Sequence, residues 1–144
     1  EIDPETGVSR IVRYTAVHDV GIELNPSLVN GQVMGGIAQG AGQALMEQII
    51  YDEESGQVIT GSFMDYCMPR AFDFCNFQLG SHPVPTKTNP LGVKGAGEGG
   101  TVGALAAVMN AVNDALAPLG IKNLSMPATP ERVWQAISNT KNQT

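Results

Sequence analysis

The run Lys94-Gly95-Ala96-Gly97-Glu98-Gly99-Gly100-Thr101 is where residue types and spacing come nearest to chemistry. Its glycines leave backbone N–H groups uncovered, and the apolar residues after Thr101 predict a helix. The run therefore reads as a glycine-rich turn feeding a helix N-terminus. Such an end presents unpaired N–H groups and the positive end of the helix dipole, so it can hold an anionic or polar ligand. Glu98 stands in that turn with Lys94 as the opposite charge nearest to it in sequence. Local sequence by itself suits it to a first-turn carboxylate that stabilises the helix by ~0.3–1 kcal/mol.

Context disfavours other chemistries. Gly95 to Gly100 satisfies Gly-x-Gly-x-x-Gly, but Thr88-Asn89-Pro90-Leu91-Gly92 precedes it where a dinucleotide fold needs an apolar strand. No second strand ending in an acid comes after the helix, and no Gly-Lys-Ser/Thr makes a P-loop. Cys67 and Cys75 are eight apart and only His18 and His82 could join them, so neither zinc nor an iron–sulfur cluster is supported. Both cysteines are expected to be reduced and buried. His18 receives no role, and Met34, Met46 and Met109 are expected in the core.

These residues must be positioned by a small set of elements. Ile11 to Val20 is β-branched and predicts a strand. Asn25-Pro26 predicts an N-cap and first helical residue, opening a helix to about Glu47 with a break expected near Gly31. Gly31, Gly35, Gly36, Gly40 and Gly42 strip side chains from that helix, each at up to ~1 kcal/mol relative to Ala, which implies close approach by backbone or ligand. Gln48–Asp52 and Gln57–Phe63 predict a hairpin, and Phe74–Leu79 a further strand. Residues 83–101 predict a loop. Thr101–Ala117 predicts a helix buried on most sides, ended by Pro118 and Gly120. Thr129-Pro130-Glu131 opens a last helix through Ile137. One domain, residues 1–138, and a polar tail, 139–144, are expected. The class is α+β, with a small antiparallel or mixed sheet packed with helices.

Composition narrows the partners. The net charge of −6 and pI near 4.7 disfavour nucleic acid and anionic membranes, which reward clustered Lys and Arg. Charged residues are only 15% of the chain, against roughly 25% in soluble domains, and 17 residues are glycine. That balance suits surfaces covered by other protein. The turn Asp3-Pro4-Glu5-Thr6-Gly7 lacks most of its first strand, so a longer native chain is expected. Gly99–Ala117 is apolar but contains Asn110, Asn113 and Asp114, which predicts a buried helix and no membrane span.

Three stretches, in order, resemble the end of the molybdenum-binding subunit of the xanthine dehydrogenase, aldehyde oxidase and carbon monoxide dehydrogenase family. The first is Asp19-Val20-Gly21, Asn25-Pro26 and Gly31-Gln32-Val33-Met34-Gly35-Gly36-Ile37-Ala38-Gln39-Gly40. The second is Asp65-Tyr66 with Pro69-Arg70. The third is Asn89-Pro90-Leu91-Gly92-Val93-Lys94-Gly95-Ala96-Gly97-Glu98 with Met126-Pro127-Ala128-Thr129-Pro130-Glu131-Arg132-Val133-Trp134. The wording is most similar to bacterial multi-subunit enzymes of the carbon monoxide dehydrogenase large-chain type.

The resemblance implies that the chain is part of a larger molybdenum cofactor-binding domain. Glu98 then matches the general base, which needs shielding from bulk water. Gln32 matches a residue that hydrogen-bonds the pterin, and Lys94, Gly95, Ala96 and Gly97 line the cofactor pocket. The cofactor implied is molybdenum-molybdopterin, in its cytosine dinucleotide form, held by its dithiolene, so no protein metal ligands are expected. Neither cofactor nor turnover is expected on these 144 residues alone. Partners implied are the remainder of the large subunit, iron–sulfur and FAD subunits or domains, and a small-molecule substrate. A cytoplasmic location is expected, with the periplasm left open. The substrate, and whether copper is present, lie beyond these residues. The alternatives are a cofactor-free structural or interface module and, further off, a nicotinamide-binding domain.

Overall fold

In the computed structural model the described residues are 1–141; the last three of the expected tail lie outside them. The elements run β1 (Thr15–His18), α1 (Pro26–Leu45), β2 (Gln78–Ser81), α2 (Gly99–Leu116) and α3 (Pro130–Lys141), with 3-10 turns at Ala71–Asp73 and Ala117–Leu119.

α1 starts as its residues dictate. The Asn25 side chain accepts from the Leu28 N–H at 3.2 Å, and Pro26 fills the first turn, where its missing N–H costs nothing. The helix runs unbroken past Gly31. Its buried face is Val33, Gly36, Ile37, Gly40, Ala41, Ala44 and Leu45, the spacing of one helical stripe. α2 presents Gly100, Ala104, Val108, Val112 and Leu116 at intervals of four, and the two helices form the main packed pair. Gly120, with φ +77°, turns the chain out of the helix end and donates to the Ala117 carbonyl at 2.9 Å.

The core has two parts. Ala41, Ala44 and Leu45 of α1, Val108, Met109, Val112 and Leu116 of α2, and Val133 and Ile137 of α3 form the larger one with Ile121 and Ala128. Val33, Ile37 and Ala104 form the smaller one, closed from the sheet side by Tyr14, Ala16, Phe77 and Leu79. Tyr14 and Phe77 meet edge-on with ring centroids 5.5 Å apart.

Several expectations are corrected. The sheet is two parallel strands, Thr15 to His18 pairing with Gln78 to Ser81 in register, and not antiparallel or mixed. The chain returns to β2 after crossing through α1, and strand direction results from that crossover rather than from residue types. The long strand expected from Ile11 shrinks to four residues, preceded by an isolated bridge from Ile11 to Phe74. The hairpin expected over 48–63 keeps its turn, with Asp52 N–H on the Gln57 carbonyl at 2.8 Å, but pairs through one bridge, Tyr51 to Val58. α3 continues past Ile137 to Lys141, into the expected tail. Cys67 and Met34 are exposed, not buried.

α2 is also less covered than its composition suggests. With the 3-10 turn after it, the helix is long and apolar enough to cross a membrane by length and composition, and Val102 is 66% exposed. One face nonetheless packs on α1, and Asn113 in its second half accepts the Leu124 N–H at 2.9 Å. The opening turn is closed: Ile2 bridges Ser9, and a side chain on Gly7 (φ +74°) would strike the backbone of Pro130 and Trp134, so the turn seats on α3.

Candidate functional site

The glycines of α1 and α2 divide into two kinds. A Cβ on Gly36 would lie 2.9 Å from the Thr101 nitrogen and 3.0 Å from the Gly100 Cα, and one on Gly40 would lie 2.6 Å from the Thr101 carbonyl oxygen. A Cβ on Gly100 would overlap the Val33 carbonyl. These residues let the N-terminal turn of α2 lie directly on the backbone of α1. Gly42 similarly admits Pro69, whose Cγ would be 2.7 Å from an added Cβ, while the Tyr66 hydroxyl donates to Glu47 at 2.6 Å. The Asp65-Tyr66 and Pro69-Arg70 segment is thus seated on the end of α1. Glu47 as acceptor pushes the Tyr66 hydroxyl pKa up.

Gly31 and Gly35 of α1, Gly95 and Gly97 of the loop, and Gly99 and Gly103 of α2 are different. A Cβ on any of them would meet nothing within 4 Å. A helix glycine costs up to ~1 kcal/mol relative to Ala, and no contact among the described residues requires one at these helix positions. Gln32, between Gly31 and Gly35 in position, reaches across to this surface: its Nε2 donates to the Gly97 carbonyl at 2.8 Å. The structure thus brings Gln32, Gly97 and Glu98 together, although 65 residues separate Gln32 from Gly97.

Glu98 is the residue immediately before α2. Its backbone carbonyl accepts from Val102 at 3.1 Å, its side chain caps nothing, and no described residue hydrogen-bonds its carboxylate. It is exposed. The shielding from water expected of a base is therefore not supplied by these residues. Lys94, the cation nearest in sequence, does not pair with Glu98: its Nζ lies 2.5 Å from Asp19 Oδ2. The Lys94 charge is committed elsewhere, and Gly95 and Ala96 lead from it to Gly97 without side-chain hydrogen bonds of their own.

Asp19 is the participant that local sequence reasoning missed. Its Oδ1 accepts from Gly21 N at 2.9 Å and from Val84 N at 3.0 Å, and its Oδ2 takes Lys94. The Lys94 ammonium first, then the Val84 and Gly21 N–H groups, hold its carboxyl far below the usual carboxylate range. Around it the loop is paired with the strand exit: Ile22 N to the Gly92 carbonyl at 3.1 Å, and Lys94 N to the Val20 carbonyl at 2.8 Å. Gly21 and Gly92 both have positive φ, +65° and +68°, and a side chain on Gly21 would strike the Gly92 carbonyl. Asn89 closes the loop internally, accepting Leu91 N at 3.1 Å and donating to the Val93 carbonyl at 3.0 Å. A separation of 75 residues hides the Asp19–Lys94 pair from any local signal.

The glycine motif is no nucleotide fold. Loop precedes Gly95, and no parallel strand comes after α2 among the described residues. Nor do the described residues contain a group of three His, Cys, Asp or Glu able to hold a metal.

The sequence profile of the family described as "Molybdopterin cofactor-binding domain" matches residues 1–75, slightly more than half of the chain. The chain belongs to that family. Gln32 falls within the matched part and Glu98 beyond it. The large subunit of nicotine 6-hydroxylase from Paenarthrobacter nicotinovorans is 43% identical over 136 residues, covering 94% of this chain and 16% of that protein. Among solved structures, the Cu,Mo-CO dehydrogenase matches with a TM-score of 0.92 and 35% identity over 99% of this chain and 18% of that one. Quinoline 2-oxidoreductase from Pseudomonas putida 86 matches with a TM-score of 0.90 and 42% identity over 95% of this chain and 17% of that one. The chain therefore spans about a sixth of the length of these relatives, and the match extends through the Lys94–Glu98 loop.

Proposed function

We propose that these residues form one wall of the molybdopterin pocket of a molybdenum hydroxylase, an oxidoreductase, with Glu98 as its general base. The observation that carries this reading is the open glycine surface at Gly31, Gly35, Gly95, Gly97 and Gly99, beside an unpartnered carboxylate at the start of α2. The Gly95–Gly97 backbone and the carboxamide of Gln32 are the groups that would hold the cofactor. When bound, the cofactor supplies a Lewis-acidic metal and a two-electron acceptor.

The protein's own part is to hold and move a proton. Glu98 accepts it on a carboxylate oxygen, and no described cation or donor competes for that oxygen. Gln32 fixes the carbonyl of the preceding residue, which limits where the carboxylate can swing. The missing shield from water is assigned to the rest of the large subunit, with iron–sulfur and FAD partners taking the electrons onward. The cytosine dinucleotide form and a cytoplasmic location are part of the same proposal. The names of the three relatives cover nicotine, quinoline and CO, yet this segment is shared among them. Substrate choice is therefore assigned to residues elsewhere.

The test is Glu98→Gln in the intact enzyme. Turnover should fall by at least ~10²–10⁴-fold, the usual loss for a general base, with molybdenum content and melting temperature unchanged. Near wild-type turnover at full molybdenum occupancy would leave Glu98 as a helix-end acid.

A further inference from the structure

We infer that Asp19 is a positioning residue for Glu98, clamping both ends of the loop that leads to it. This rests on the reading of Glu98 given above. One carboxylate holds Val84 N at the start of the loop and Lys94 Nζ at its end, while its Oδ1 also fixes Gly21 in its own turn. Between Lys94 and the first residue of α2 stand only Gly95, Ala96, Gly97 and Glu98. A Cβ on either glycine would meet nothing within 4 Å. The direction in which Glu98 points is thus set by three tethers: the α2 N-terminus, Gln32 on the Gly97 carbonyl, and Lys94 held by Asp19. Backbone pairing of residues 92–94 with residues 20–22 sets the height of the loop as far as Lys94.

Lys94 takes a different role as a result. Its ammonium is spent on Asp19, so it acts through the loop rather than as a charge on the cofactor. Reactions that need a close approach lose about 10²-fold for a misplacement of about 1 Å, which sets the size of effect to look for.

The experiment uses the intact molybdenum enzyme with four variants: Asp19→Asn, Lys94→Met, the double variant, and Lys94→Arg. Asp19→Asn keeps an oxygen for the Gly21 and Val84 N–H groups and removes the charge that holds Lys94. Three quantities are read: molybdenum per protein, kcat and KM separately, and amide hydrogen exchange over residues 93–98 against that of α1. We expect faster exchange over 93–98 with α1 unchanged. We expect kcat lower by about 10- to 100-fold with KM and molybdenum content nearly unchanged. The double variant should be no worse than either single one, and Lys94→Arg should recover most of the rate.

Unchanged exchange in both Asp19→Asn and Lys94→Met would overturn the clamp. Faster exchange with unchanged kcat would overturn the positioning role. A Lys94→Met loss far greater than that of Asp19→Asn, multiplied in the double variant, would place Lys94 on the cofactor and overturn the indirect role. Should Asp19→Asn fail to accumulate, Lys94→Met and Lys94→Arg decide the matter alone. The exchange result is independent of whether Glu98 is the base, so failure of that reading, seen as normal turnover in Glu98→Gln, is distinguishable from failure of the clamp.

Discussion

Gly100 and Gly35 are the same residue under opposite constraints. Gly100 lies against the α1 backbone, where a side chain would overlap the Val33 carbonyl; Gly35 is exposed, and a side chain there would meet nothing. The first glycine is explained by the fold itself. The second has no explanation within these residues, and the proposed function assigns that face to the cofactor. A glycine-rich sequence therefore has to be divided by contact before it can be read for function.

The contrast between the two glycines is tested most severely at the seam. Gly100→Ala in the intact protein should destabilise it by about 1–3 kcal/mol or more, because backbone on both sides cannot yield to a methyl group. Chemical denaturation measures it, and a loss under about 0.5 kcal/mol, well below the usual cost of overpacking, would mean the helix pair is looser than described. Gln32→Ala should cost about 0.5–1.5 kcal/mol for the lost bond to Gly97. It should lower molybdenum per protein as well; a stability change with unaltered metal content would confine Gln32 to holding the loop.

Gly35→Ala should do the reverse of Gly100→Ala. Helix propensity alone predicts a gain of up to ~1 kcal/mol, while cofactor content falls if the ligand lies against that face. Improved stability with full molybdenum would place the cofactor elsewhere. The smallest effect concerns acid. Asp19 has a folded-state pKa below its unfolded value of about 3.9, so its contribution is full above that value and is lost as pH falls through the folded one. The difference in melting temperature between wild type and Asp19→Asn should be constant above about pH 5 and shrink below about pH 4. A difference that shrinks between about pH 5 and 7 would assign the effect to another group.

Much of the helical scaffold was legible because its signals are local. Asn25-Pro26, Thr129-Pro130 and Gly120 act within one turn, and the buried faces of α1 and α2 repeat at helical spacing. The strands were less so. Ile11 to Val20 has strand composition throughout, but only Thr15–His18 finds a ladder partner, because pairing depends on where residues 78–81 return. Lys94 stands four residues from Glu98 in sequence, yet its ammonium pairs with Asp19.

By itself the sequence determined the helices, their caps, the glycine-rich turn before α2 and the family to which the chain belongs, since each rests on residues close together or on motifs kept in order. The tertiary structure alone decided which glycines are packed and which are open, that the strands run parallel, that Gln32 reaches Gly97 and that Asp19 holds Lys94. The last three are contacts across about 60 to 75 residues. Hydrogen bonds and steric overlap act over a few ångströms, so they depend on where the chain returns in space and leave no trace in local spacing.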